Sequence, residues 1–431
     1  GLDTVGAISF LLKKYDKVKQ AMLVKIEVSS HSDAYVLFES LNNRGTPLTA
    51  IDLMKNLIMA RAENNNLTCE DCFNRWQQLL KYLSDDYGTQ ERFFFFYYNA
   101  FKHRLNKPFQ NENDRKKDPL GVVATRSNLL NIFENLINKN LPEFLKDILE
   151  SGKIYSWLIL EDTNEKIFKA ALEDLDHIQG VPSYLLLMYL IKNKVELQIT
   201  DNQINSLIRL LTKYFVRRNL TDYPNTRDLT RMFMEIISKI EENEPKGDNV
   251  LKLIIDVLSS PNFCASDELF KRRLEGDIYK DNVGAARYIL CKYAESTMTQ
   301  ETWTDLWKRT DKNVFVWTIE HIFPEGENIP NCWVDMIANG DRNLANKYRE
   351  EYTHKIGNLT ITGYNSTLGN KSFEEKRDRM SKGTDEKDKR YIGYKNGLGI
   401  NKEIATKERW TIEDIKNRTS SLVDELVEAY K

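Results

Sequence analysis

The stretch Val316-Trp-Thr-Ile-Glu-His-Ile-Phe-Pro324 decides the carboxyl-terminal part of the fold, because it has the pattern of a β-strand that ends on an acidic residue and a histidine. A second β-branched stretch, Ile356-Gly-Asn-Leu-Thr-Ile-Thr-Gly-Tyr-Asn365, leads into an asparagine-rich loop. Asn370-Lys-Ser-Phe-Glu-Glu-Lys-Arg377 then opens a helix. The sequence thus predicts the order strand, strand, helix around Glu320, His321 and several asparagines.

These residue types suit the hydrolysis of a phosphodiester bond. The reaction needs a base that deprotonates water and positive charge beside the leaving oxygen. A histidine with an ordinary pKa of about 6.5 can accept a proton at cellular pH. Carboxylate and amide oxygens suit Mg²⁺ or Mn²⁺. Consecutive strand residues point to opposite faces, so Glu320 and His321 share one site only if the strand end twists or bulges.

Three separated motifs resemble the HNH-type C-terminal domain of the GmrSD family of DNA restriction endonucleases. They are Ile319–Pro324, His354–Ser366 and Asn370–Arg377, in the family's order and with compatible spacing. The resemblance implies a metal-dependent DNA endonuclease, and it implies double-stranded DNA as the partner.

The same resemblance implies a role for individual residues. His321 is expected to be the general base and Glu320 a metal ligand, while Asn358 is the buried residue that ties the loop together. Asn365 is the preferred second metal-side ligand, and Asn370 is the competing choice, because the tract between Asn358 and Asn370 varies in length among HNH proteins.

The helix of the third motif provides candidate contacts to the DNA backbone. Ser372 can cap its first turn, with Glu375 completing a capping box, and the free N–H groups of a first turn favour an anion. Lys371, Lys376 and Arg377 surround that end and are candidate phosphate ligands. Charges alternate along the tract that follows, so a solvated surface remains an alternative for these basic residues.

Length and charge bound the function. The chain has 431 residues, enough for two or three domains, and a formal net charge of −2. A strongly basic balance is absent, so any contact with DNA must come from local patches. No apolar run approaches the roughly 20 residues of a membrane span, and Tyr184–Ile191 is expected to be a buried helix.

The cysteines indicate a reducing compartment. There are five, an odd number, in a long chain without a secretory leader, which is typical of reduced thiols in a cytoplasm. Cys69 and Cys72 lack a second pair, and only Cys332 lies near the motifs. We therefore expect no structural zinc.

Residues 1–62 resemble the closing part of the N-terminal domain of the same family, through Phe38–Leu48 and Asp52–Asn56. In that family this domain carries a nucleotide-hydrolysing site with an upstream Asp-Gly-Gln-Gln-Arg motif, which this chain lacks. Nucleotide binding is therefore expected only in a missing N-terminal part, and the chain, which starts at Gly1, is expected to be a fragment. The run Asn42-Asn-Arg44 either lines that site or forms a helix-capping turn. Thr49 is expected to cap a helix, with Asp52 completing its capping box.

Residues 63–300 are predicted to form a helical bundle domain, since apolar residues recur at spacings of three and four. The run Phe93–Tyr98 is expected in its core rather than on a base-stacking surface. Arg217 and Arg218 either contact phosphates or form structural salt bridges with nearby acids.

By the same resemblance, residues 301–431 are expected to form an HNH-like ββα-metal nuclease domain, with a C-terminal helix capped by Thr411. A lead-in helix over 302–308, with Trp303 and Trp307 packing inward, is expected before a first strand over 315–319. The insertion from residue 325 to residue 353, with one or two short helices around 333–337 and 346–352, is a candidate wall of a DNA groove. His354 either assists phosphate binding or supports the second strand. The predicted fold class is mainly α with a small α+β part.

The leading hypothesis is a metal-dependent DNA endonuclease of a bacterial, modification-dependent anti-phage defence protein, cytoplasmic and without a membrane segment. The resemblance implies phage DNA with modified bases, such as glucosylated hydroxymethylcytosine, and an oligomer is compatible with the sequence. One alternative is a catalytically inactive DNA-binding or partner-binding protein that retains the fold. Another is an RNA-directed nuclease, which ranks lower because most HNH families attack DNA.

Overall fold

The computed structural model describes residues 4–22, 25, 27, 37, 48–105, 123–162, 166–301, 303–381 and 389–431. Their contacts divide the chain into two compact units, one of residues 1–81 and 113–149 and the other of residues 82–112 and 150–431. The coarse part of the predicted fold class, mainly α with a small α+β part, is confirmed, because the described residues are mainly helical with one small two-stranded antiparallel sheet. The HNH-like ββα-metal fold stays a prediction. The domain boundaries at residues 62 and 300 stay predictions.

Fourteen α-helices of the described part precede the sheet. They are α1 Thr4–Lys19, α2 Ala50–Arg61, α3 Cys69–Leu83, α4 Tyr87–Leu105, α5 Leu129–Lys139, α6 Leu141–Leu158, α7 Lys169–His177, α8 Tyr184–Lys192, α9 Asp201–Thr221, α10 Thr226–Asn243, α11 Asp248–Leu258, α12 Asp267–Leu274, α13 Ile278–Asp281 and α14 Val283–Ser296.

The remaining elements of the described residues are two strands and six α-helices. They are β1 Thr318–His321, α15 Asn331–Ala338, α16 Arg342–Tyr352, β2 Leu359–Thr362, α17 Asn365–Leu368, α18 Phe373–Arg377, α19 Lys402–Thr406 and α20 Ile412–Ala429, with 3₁₀ turns at Glu63–Asn65, Val181–Ser183, Ile356–Asn358 and Gly399–Asn401. The insertion, for which one or two helices are predicted, contains the two helices α15 and α16, and Thr411 caps α20 as predicted.

The first unit contains the predicted capping box. The side chain of Thr49 accepts from the backbone N–H of Asp52, and the carboxylate of Asp52 accepts from the N–H of Thr49, each at 3.2 Å. Helix α2, which starts there, packs against α5. The family-like phrase at 38–47 and the turn at 42–45 lie outside the described residues.

The helical part of the second unit settles two of the open alternatives. Phe93–Tyr98 lies in α4 and is buried apart from a half-buried Phe95, so this aromatic run is core. Arg217 donates to a carboxylate oxygen of Asp267 at 2.7 Å, and Arg218 donates to Asp222 at 3.1 Å. Both arginines are therefore structural.

Helix α8, which contains the predicted buried run Tyr184–Ile191, is buried along its length. Across the residues that the structure describes, none of the helices combines the length and apolarity that crossing a bilayer requires.

The first strand starts later than predicted. It spans residues 318–321, not 315–319, and pairs Ile319 with Ile361 and His321 with Leu359. The earlier residues have other partners, because Phe315 forms a bridge with Arg309 instead of continuing the ladder.

The predicted lead-in helix is wrong, since residues 303–308 are not helical. The side chain of Asp305 accepts from the N–H of Trp307 at 2.9 Å, which favours a turn. Trp303 is 69% exposed and does not pack inward. Trp307 is half-buried and stacks on the ring of His177, with centroids 3.7 Å apart.

Helix α20 holds the backbone that precedes β2. The guanidinium of Arg418 donates to the carbonyls of Gly357 and Leu359, each at 2.8 Å. A Cβ atom at Gly357 would lie 2.3 Å from the carbonyl oxygen of Ile415, so only glycine permits this close approach. The helix therefore fixes the turn that carries Asn358.

Candidate metal centre

Two histidines and a carboxylate meet where β1 ends. His321 is the last residue of β1, Glu325 follows it by four positions, and His354 lies just after α16. Nε2 of His321 is 3.3 Å from Nδ1 of His354, and Nδ1 of His321 is 3.7 Å from a carboxylate oxygen of Glu325. One candidate ligand atom of each residue lies within 4.8 Å of the other two.

This donor set fits a divalent metal ion. Imidazole nitrogens suit first-row transition ions, whereas Mg²⁺ prefers oxygen ligands in octahedral geometry. Two imidazoles and one carboxylate therefore fit Mn²⁺ or a later first-row ion better than Mg²⁺. The oxygen-rich set expected from Glu320, Asn365 and Asn370 would instead have suited Mg²⁺.

The ring of Tyr279, from α13, covers both imidazoles. It meets His321 edge to face with centroids 4.6 Å apart, and it lies parallel to His354 at 5.6 Å. These contacts restrict the rotation of both histidine rings, so the two imidazoles are held in fixed orientations.

His321 is 7% exposed. Burial, together with the neighbouring His354 and Lys376, lowers its pKa to about 3. The imidazole of His321 is therefore neutral at cellular pH, the state in which a ring nitrogen can bind an ion or accept a proton.

Glu320 points away from this group. Its carboxylate accepts from Nζ of Lys376 at 2.7 Å, and the same ammonium donates to the carbonyl of His321 at 2.8 Å. The pairing of β1 with β2 runs through residues 318–321 without a bulge, so the condition for a shared Glu320 and His321 site is not met. The structure does not bring Glu320 together with His321 as expected.

Lys376 cannot reach DNA in this structure, which corrects its predicted role. Its side chain is 1% exposed, and that of Glu320 is 3% exposed. Burial raises the pKa of Glu320 and lowers the pKa of Lys376, and the contact between them opposes both shifts. We interpret them as a buried ion pair, since three oxygens accept from the ammonium.

Asn358 is fully buried and joins the two loops that carry Glu325 and His354. Its Oδ1 accepts from the N–H of Phe323 at 2.8 Å. Its Nδ2 donates to the carbonyls of Phe323 at 2.9 Å and Thr353 at 3.0 Å. The structure thus places Asn358 where it ties the loops together, not beside the open cleft.

The two candidate metal-side asparagines lie at different places. Nδ2 of Asn365 donates to the carbonyl of Ile319 at 2.7 Å, which joins α17 to β1. Asn370 is exposed and lies beside Gly326, where its amide atoms would be 3.3 Å from an added Cβ. Asn370 is therefore next to the loop that carries Glu325.

The remaining candidate phosphate ligands lie around α18, whose predicted capping box is present. Lys371 is partly exposed, with Nζ 3.5 Å from a carboxylate oxygen of Glu375. Arg377 donates to the carboxylate of Asp378 and, at 2.7 Å, to the carbonyl of Lys407. Arg377 is thus engaged within the protein, and Lys371 is the more available of the two.

An open cleft of about 400 Å³ borders the two outer members of the group. Seven residues line it, namely Asp277, Lys280, Glu325, Arg349, Glu350, Thr353 and His354. His354 and Glu325 are thus accessible, while the more buried His321 lies behind them.

The region around the candidate site matches a known protein family. Residues 265–425 match the family model described as GmrSD restriction endonucleases, C-terminal domain. This region is thus similar to the C-terminal domain of the GmrSD restriction endonucleases. The match identifies a nuclease domain of the restriction endonuclease type, and it includes both strands, α18 and every residue lining the cleft. No curated protein matches the chain.

The candidate site includes residues that the sequence patterns did not point to. Glu325 stands four positions after His321, a spacing that could have signalled a second ligand in the same loop. Tyr279 and Lys280 precede β1 by about forty residues and carry no motif, so only the folded chain brings them to the histidines.

Proposed function

We propose that residues 265–425 form a metal-dependent DNA endonuclease of the HNH type. One observation carries the proposal: a neutral histidine at the end of β1 faces a second histidine and a carboxylate beside an open cleft, within a region similar to the C-terminal domain of the GmrSD restriction endonucleases. The succession β1, β2, α18 and the loop-joining Asn358 support the HNH type.

Glu325 and His354 would hold the ion, since both line the cleft. His321 accepts the proton of the attacking water, and the anionic phosphate of the substrate raises the low pKa of its imidazole toward the range where a base works well. When bound, a divalent ion supplies positive charge that stabilises the leaving oxygen. Tyr279 keeps the imidazole of His321 oriented toward the reacting water.

Cleavage of supercoiled plasmid tests the nuclease. We expect nicked and linear products with Mn²⁺, fewer with Mg²⁺ and none in EDTA. His321→Ala should cut at least about 100-fold more slowly, because general base catalysis contributes about 10² to 10⁴ in rate. His103→Ala is the matched control, since His103 bonds to Ser238 and lies outside the site. Cutting by His321→Ala at the parent rate would exclude this histidine as the base.

Metal titration separates the base from the ligands. Isothermal titration with Mn²⁺ should show binding that His354→Ala and Glu325→Gln weaken strongly and that His321→Ala leaves within about tenfold. An equal loss in all three variants would instead make His321 a third ligand.

The substrate we propose is double-stranded phage DNA with modified bases, cut in the bacterial cytoplasm as part of a defence system. The support is the family description, since restriction endonucleases act on DNA. Comparing plasmid, glucosylated hydroxymethylcytosine DNA and a matched RNA duplex as substrates tests both the modification and the preference for DNA.

One observation favours a second candidate, an inactive DNA-binding or partner-binding domain. The carboxylate expected to bind metal, Glu320, is neutralised by Lys376. In that case Mn²⁺ should not bind, and DNA affinity should be the same in EDTA and in Mn²⁺.

A further inference from the structure

We propose that the cleft beside His354 is a subsite for one phosphate of the DNA backbone, bound by Arg349 and Lys280 over a floor that includes Thr353. The inference rests on the proposed function, because it names how the same site would hold its substrate. In this proposal the main phosphate contacts come from α16 and α13, and not from α18 as the sequence predicts.

Two residues that line this cleft, one in α16 and one at its cap, each carry a buried polar atom without a partner among the described residues. Nε of Arg349 and Oγ1 of Thr353 are buried and form no hydrogen bond with any residue that the structure describes. The two residues are four positions apart and line the same cleft. Buried polar groups nearly always have a hydrogen-bond partner. Two such groups without a partner, in residues that line one cleft, therefore indicate a binding place for a polar ligand.

Arg349 is already oriented for such a ligand. One of its terminal nitrogens donates to the backbone carbonyl of Glu325 at 3.3 Å, which anchors the guanidinium beside a proposed metal ligand. The planar fork of an arginine suits the oxygens of a phosphate. Lys280, exposed at the rim, adds a second cation. The backbone of Thr353 is fixed by the donation from Asn358, so the floor is rigid.

Charge makes this subsite depend on the ion. Three carboxylates line the cleft, those of Asp277, Glu325 and Glu350, against the two cations Arg349 and Lys280. Asp277 also lies 3.3 Å from Lys355, which partly neutralises it. A divalent ion at Glu325 and His354 reverses the balance, so phosphate should bind well only after the ion has bound.

The test is fluorescence anisotropy of a labelled duplex with the whole chain, in Ca²⁺ to limit cutting, over a range of salt concentrations. Arg349→Gln should weaken binding about tenfold and lower the slope of log affinity against log salt by about 0.9, the value for one phosphate contact. Lys280→Gln should lower the slope similarly with a smaller loss. Thr353→Val, nearly isosteric, should weaken binding about threefold and leave the slope unchanged. Lys347→Gln, on the exposed side of α16, is the matched control and should change neither.

The outcomes separate the two proposals. If the parent cuts DNA but Arg349→Gln and Thr353→Val bind duplex with parental affinity and slope, the subsite is overturned and the nuclease stands. If binding depends on Arg349 and Thr353 but no condition gives cutting, the subsite stands and the nuclease fails. If the parent binds no duplex in either Ca²⁺ or Mn²⁺, both fail. Circular dichroism of each variant confirms that it is folded.

Discussion

The two faces of β1 use adjacent residues in opposite ways. On one face Glu320 is closed in with Lys376, and its charge is satisfied within the protein. On the other, His321 faces His354 and Glu325, which border open space. Two adjacent residues thus have different roles. The carboxylate of Glu320 holds the end of the strand, whereas the imidazole of His321 is placed to take part in the proposed reaction. An acid next to a histidine in a motif is not by itself a shared site.

The largest effect should come from removing the cation that pairs with Glu320 on the buried face of β1. Lys376→Met leaves the carboxylate of Glu320 buried and unpaired, which should cost about 3–5 kcal/mol of the free energy of unfolding. Urea unfolding measures it. The double variant Lys376→Met with Glu320→Gln should recover most of the loss, whereas Lys371→Met, on the surface, should change little. A stable single variant would mean that the pair is not ionised.

On the face of β1 that carries His321, the free energy of unfolding should depend on pH. The pKa of His321 is lowered to about 3 in the folded protein, against about 6.5 when unfolded. The unfolded chain then binds the extra proton between these values, so stability is lost as pH falls below about 6.5, by at most about 1.4 kcal/mol per pH unit. In EDTA, the parent should lose more stability than His321→Gln between pH 7 and pH 4. Parallel curves for the two proteins would contradict the burial described for this ring.

Metal affinity should distinguish the faces directly. Glu325→Gln should lower Mn²⁺ affinity by more than about 10–100-fold, the loss usual for residues that only support a ligand. Glu320→Gln should lower it less, because Glu320 acts only through the backbone of the strand end. Isothermal titration compares them, and a larger loss from Glu320→Gln would restore the role expected from the motif.

The smallest effect should come from the aromatic cover. Tyr279→Phe keeps the ring contacts with His321 and His354 and should be nearly neutral in stability, while Tyr279→Ala should cost about 0.5–1.5 kcal/mol beyond the loss of buried area. Thermal unfolding reports this difference. We also expect slower plasmid cleavage by Tyr279→Ala only, because the imidazole of His321 loses its orientation. Equal cleavage by both variants would argue against this positioning role.

Much of the local structure could be predicted from sequence because it depends on neighbours along the chain. The capping boxes at Thr49 and Ser372, the helices of the insertion and the buried run of α8 all follow from spacing within a few residues. The direction of a side chain at a strand end also follows from alternation, and that rule already made a joint site of Glu320 and His321 conditional.

Contacts between distant parts of the chain could not be predicted. The basic residue Lys376 has the pattern of an exposed phosphate ligand, and only the packing of α18 under β1 shows that it is a buried partner of Glu320. Trp303 and Trp307 suggest an amphipathic helix, but the hydrogen bonds of Arg287 with the carbonyls of Leu306 and Trp317 hold this segment in a non-helical path. His321 and His354 are distant in the sequence, and only the folded chain brings them together.

Helix α20 supports the turn before β2 from a distant position in the sequence. Arg418 and Gly357 lock the turn before β2, yet Arg418 is synthesised nearly a hundred residues after His321. A nascent chain on the ribosome therefore carries both histidines before it has the support that fixes their loops. The proposed metal site therefore gains its last structural support late in translation.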